Sequence, residues 1–129
     1  AQSIDFLNRR PAGFRVLTGE DAQTFDALSD GADGAILLSA HLETDTFASI
    51  RTLLRQGKRD LALTAWQSVV GLTRLLFAEP SPAPAKHWLW RQRLIDSPEV
   101  RLPMVEVSED LATWLDAEME RRAQLLLPA

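Results

Sequence analysis

Hydrophobic and polar positions follow two rhythms along this chain. Near its start, Ser3 to Arg10 carries apolar Ile4, Phe6 and Leu7, an acid at Asp5, bases at Arg9 and Arg10, and Pro11 just beyond. With Ser3 as cap, this pattern predicts a short helix. Phe14-Arg15-Val16-Leu17-Thr18 is strand-like and closes at Gly19, and Asp21 opens an amphipathic stretch through Phe25 and Leu28 that Gly31 and Gly34 end. The next run, Ala35-Ile36-Leu37-Leu38-Ser39, is short and apolar without interruption, the pattern of a parallel strand covered on both faces. Strand, helix and strand make one βαβ unit.

From Asp45 onward the spacing is helical. Thr46 to Arg55 places Phe47, Ile50, Leu53 and Leu54 on one face and stops at Gly57. A longer helix from about Lys58 buries Ala62, Ala65, Trp66, Val69, Leu72 and Leu76, until Pro80, Pro82 and Pro84 end it. A helix over Ala85 to Leu94 comes next, followed by an extended or looped stretch from Pro98 to Val107. Ser108 caps a last helix, running to Leu127, whose inner stripe is Leu111, Trp114, Leu115 and Met119. Two parallel strands leave both outer edges unpaired, and independent stability usually takes about three strands or more. Something further should complete the sheet, upstream residues or another copy of the chain, unless one of the two runs is not a strand.

Composition narrows the chemistry. The 129 residues, 46% hydrophobic and 25% charged, suit one ordinary globular domain. There is no cysteine, and the two histidines, His41 and His87, lie far apart, so no disulfide framework, thiolate nucleophile or structural metal is expected. A net charge of -4 argues against general binding to nucleic acid or a membrane surface. The start of the chain has no secretory-signal pattern, and the longest apolar run, Leu61 to Thr73, is shorter than the roughly 18 residues a membrane span needs. The expectation is a cytoplasmic protein.

Four strings, in order, resemble the C-terminal part of the dihydrodipicolinate synthase and N-acetylneuraminate lyase family, the pyruvate-dependent class I aldolases. Val16-Leu17-Thr18-Gly19-Glu20-Asp21 is similar to that family's seventh barrel strand with its Gly-x-Asp turn, and Gly31 through Ile36 to its Gly-x-x-Gly-x-Ile entry into the eighth. Glu79-Pro80-Ser81-Pro82-Ala83-Pro84-Ala85-Lys86 resembles its Glu-x-Asn-Pro-x-Pro-Val-Lys segment, and Arg101-Leu102-Pro103-Met104 its Arg-Leu-Pro element. The resemblance implies an α/β fold: the last two strands of a TIM (βα)8 barrel over residues 1–57, then a C-terminal helical bundle over 58–129, mostly helical as an isolated chain. It would supply the missing strand neighbours, as an N-terminal barrel segment or through a homo-oligomer.

Family chemistry, so implied, joins a sixth-strand lysine to pyruvate or a related 2-oxo acid as an imine. A fifth-strand tyrosine shuttles protons as the imine condenses with, or is cleaved from, an aldehyde. No cofactor is implied. This chain has no tyrosine, and its two lysines are Lys58, at a helix start, and Lys86, after the proline-rich loop. A solvated helix start does not lower a lysine pKa as a barrel interior does. The chain alone is therefore expected to lack aldolase activity and to carry no catalytic residue.

The resemblance implies three substrate-side residues, and a histidine near them makes a fourth candidate. Gly19 lets the substrate approach the backbone, Asp21 faces the second substrate, and Ile36 lends a carbonyl near the pyruvyl group. His41 is the fourth, at the barrel mouth, where histidine serves as a general acid or base near neutral pH. Each also has a plain reading: a tight turn at Gly19, a helix N-terminal acid at Asp21, a core strand residue at Ile36 and a locally bonded loop histidine at His41. Leu37 stands where the family commonly has serine and His41 where it has asparagine, which leaves the aldehyde open.

Two other functions compete. In Lys86-His87-Trp88-Leu89-Trp90-Arg91-Gln92-Arg93 bases and aromatics interleave, as on platforms for single-stranded nucleic acid. Alternatively, helices Lys58 to Phe77 and Ser108 to Leu127 pair between copies in a non-catalytic assembly module.

Overall fold

The computed structural model describes residues 2–125. Among them, α1 is Gln2–Arg9, β1 Leu17–Thr18, α2 Thr24–Ser29, β2 Gly34–Ala35, α3 Ala40–Arg55, α4 Arg59–Leu76, α5 Ala83–Arg91 and α6 Glu109–Leu125. A single 3-10 turn, Asp21–Gln23, leads into α2. The chain divides into two compact units, Ala1–Gly71 and Leu72–Ala129, with the boundary inside α4. The expected Ser3 cap rests on a side chain outside the described ones, and the last residues of the expected final helix, 126–127, lie beyond them.

In the first unit β1 and β2 pair in parallel, Leu17 opposite Gly34 and Thr18 opposite Ala35. Hydrogen bonds from Asp33 N–H to the Val16 carbonyl (2.8 Å) and from Ile36 N–H to the Thr18 carbonyl (2.9 Å) continue the ladder at both ends. Period-two alternation puts Ala35 and Leu37 on one face and Leu17, Gly34 and Ile36 on the other. The first face packs into a core of Phe25, Leu28, Phe47, Ile50, Ala62 and Val69. Trp66 stacks on Phe25 and meets Phe47 edge-on, and the Arg59 guanidinium lies 5.1 Å from the centre of the Phe25 ring. On the second face the two large side chains are exposed, Leu17 at 51% and Ile36 at 73%, while Gly34 between them is buried. A strand covered on both faces was expected at Ile36; here helices cover one face only, so its side chain is not a core residue.

The stripes expected on α3 and α4 are the buried ones, with Ile50, Ala62, Val69, Leu72 and Leu76 all fully inside. Their periods were clear because both helices are long enough for apolar positions to repeat. Helix α3 differs at its start. It begins at Ala40 rather than Thr46, and non-helical Glu43 (φ -135°) separates its first turn from the rest, where the polar run His41 to Asp45 hides any stripe.

In the second unit α5 and α6 pack together, burying Ala83, Ala85, Trp88, Leu111 and Leu115. Ser108 caps α6 as expected: its hydroxyl accepts the Leu111 N–H at 3.2 Å. Glu79 holds that cap in turn, one carboxylate oxygen accepting the Ser108 N–H at 3.0 Å and the other the Ser108 hydroxyl. Trp114 departs from the expected inner stripe and is 59% exposed. At 100° per residue the inward line runs through Leu111, Leu115, Glu118 and Arg122, with Trp114 on its flank. Its last two members are polar and tolerate that position because the Arg122 Nε donates to Glu118 at 2.8 Å.

Candidate functional site at the strand ends

Parallel strands present their C-terminal ends on one side, and three of the four expected site residues are exposed there. Gly19 directly follows β1, with nothing within 4 Å of where a Cβ would stand. Ile36 follows β2, and His41 lies in the first turn of α3, exposed, its N–H donating to the Leu38 carbonyl at 3.1 Å.

Asp21 is different. It is 1% exposed, and its carboxylate accepts the Leu38 N–H on one oxygen (3.2 Å) and the Ser39 N–H on the other (2.6 Å). It thus fastens the turn after β1 to the segment between β2 and α3. An acid suits that position because the amides preceding a helix are free donors at the positive end of its dipole. Thr24 adds to the turn, its hydroxyl donating to the Glu20 carbonyl at 3.2 Å. Asp21 therefore sets where Gly19, Ile36 and His41 stand relative to one another.

Sequence reasoning passed over Ser39. It is fully buried immediately before α3, and its hydroxyl has no hydrogen-bond partner among the described residues. A serine immediately before a helical run is a cap signal that could have drawn notice. Beside β1, α1 walls an apolar groove of about 530 Å³ with Phe6, Leu7, Phe14, Val16, Leu17 and Ala27.

Both lysines lie off the strands, Lys58 exposed in the turn before α4 and Lys86 in α5, donating to the Glu99 carbonyl. Among the described residues no group of three or more His, Asp or Glu side chains could hold a metal ion, and no helix is long and apolar enough to cross a membrane. Three of the basic and aromatic residues between Lys86 and Arg93 are engaged within their own unit, while Trp90 and Arg93 are exposed. Trp88 and His87 are buried, the His87 Nε2 is 3.0 Å from Asp116, and Arg91 pairs with the same carboxylate at 3.0 Å. A stacking platform needs these rings and cations on the surface, so the single-strand-binding reading is not supported.

A short parallel pair with helices on one face, open strand ends and a following helical bundle defines the class: α/β, of the βα-barrel kind. The chain belongs to the dihydrodipicolinate synthetase family, whose model matches residues 2–122. It is 41% identical over 115 residues to 4-hydroxy-tetrahydrodipicolinate synthase 2 of Clostridium acetobutylicum, covering 89% of this chain and 40% of that protein. It superposes on the 4-hydroxy-tetrahydrodipicolinate synthase of Methylacidiphilum fumariolicum SolV with a TM-score of 0.88 and 27% identity, over 95% of this chain and 41% of that one. The N-acetylneuraminate lyase of Fusobacterium nucleatum, solved with pyruvate, shares the fold at a TM-score of 0.73 and 20% identity, over 83% of this chain and 36% of that one. The chain thus matches the C-terminal part of its relatives and spans about 40% of their length.

Proposed function

We propose that this chain is the closing segment of a dihydrodipicolinate synthase-type lyase. Residues 1–57 supply the last two βα elements of the barrel and 58–129 its helical bundle. The complete protein joins a lysine amine to the carbonyl of pyruvate or a related 2-oxo acid, releasing water and forming an imine. Loss of a proton gives an enamine whose carbon attacks an aldehyde; the reverse sequence cleaves the product. The lysine, and the tyrosine that moves protons, come from outside these residues, and the protein acts in the cytoplasm.

In this reading Gly19 leaves room for the 2-oxo acid against the backbone, Ile36 offers its carbonyl, and His41 faces the aldehyde from the rim. Asp21, its oxygens both engaged by amides, contributes by holding that rim in place. The observation that carries the proposal is the one-sided sheet: Leu17 and Ile36 are bare on the face turned away from the helices, and the groove beside β1 is apolar. Such a face and edge fit further barrel strands.

Gly19→Val in the full-length protein tests the site. No atom of this chain lies within 4 Å of a Cβ at Gly19 and its φ is not in the left-handed region, so valine meets no clash among the described residues while filling the approach. Turnover with pyruvate should drop at least about tenfold, the effect of a reacting group displaced by roughly an ångström. Unchanged turnover in a folded variant contradicts the assignment of Gly19.

A further inference from the structure

We draw no further inference here: the strongest candidate, the His87, Asp116 and Arg91 side-chain cluster joining α5 to α6, carries nothing because Arg91 already meets both Asp116 oxygens at 3.0 Å and His87 shares one of them, which makes it a structural link between the two helices with nothing in the structure to point to a ligand or a switch.

Discussion

Asp21 shows how one buried side chain can hold together the turns at the strand ends. Both its oxygens take amide hydrogens from Leu38 and Ser39, and it is almost completely buried. Asp21→Ala strands those two donors, and losing charge-assisted bonds in the interior should destabilise the protein by about 3 kcal/mol, read as a lower urea midpoint. A change under about 0.5 kcal/mol, the usual range for an unconstrained surface site, would show that the clamp is idle. The acid at position 21 was visible in the sequence, but its partners were not, because they lie 17 and 18 residues away across the strand pair. The exposure of Gly19, Ile36 and His41 likewise needed the fold.

A second residue-scale case is the end of α5. Helices α2, α3 and α5 finish in the same way. The second residue past each helix takes positive φ, at Gly31 (104°), Gly57 (73°) and Arg93 (60°), and the next amide reaches back to the third residue from the helix end. Those reaches are Ala32 to Ala27, Lys58 to Leu53 and Leu94 to Leu89, each 2.9 Å. Glycine adopts this geometry freely; arginine pays a left-handed penalty of about 1–2 kcal/mol. Arg93→Gly should therefore raise stability by about 1 kcal/mol, and denaturant unfolding that shows no gain would count against the strained cap. The stops at Gly31 and Gly57 were legible in the sequence. The stop near Arg93 was not, and the helix expected to Leu94 ends at Arg91.

At the scale of elements, ionised carboxylates act at two places, one at the strand junction and one inside α6. The Val16 amide first, and then the Arg10, Arg55 and Arg15 guanidiniums, hold the Asp33 carboxyl below its ordinary value, against some desolvation, where β2 begins beside β1. Glu118 in α6 is lowered by its hydrogen bond to Arg121 and then by Arg122, again against desolvation. Each titrates lower folded than unfolded. Their contribution is thus fully present above the unfolded carboxylate value of about 4 and is lost as pH falls through the folded values. Thermal stability should fall across that acid window, and Asp33→Asn combined with Glu118→Gln should flatten the fall. An equally steep fall in the double variant would assign acid sensitivity to other groups. The apolar periods of α3 and α4 made these helices readable. In α6, Trp114 drew the eye to the wrong flank, because the true inner line includes the paired Glu118 and Arg122, which a hydrophobic pattern cannot count.

For the molecule as a whole, the sequence already held the contradiction that the structure makes concrete: among the described residues, two parallel strands with no third beside them. Helices cover Ala35 and Leu37, while Leu17 and Ile36 stand bare. The family match, across about 40% of its relatives' length, agrees with that incompleteness. Strand order and the helical bundle were legible because short motifs and long helical periods carry them. The clamp at Asp21 was not, because it depends on residues brought together from distant positions. The central claim is that the complete protein is an imine-forming lyase to which this chain contributes the rim but not the amine. Borohydride reduction in the presence of pyruvate, read by intact mass, tests it on the full-length protein with the present chain as control. A pyruvyl adduct on the full-length protein alone is the predicted result; no adduct on a folded full-length protein, or one on residues 1–129 alone, would contradict it.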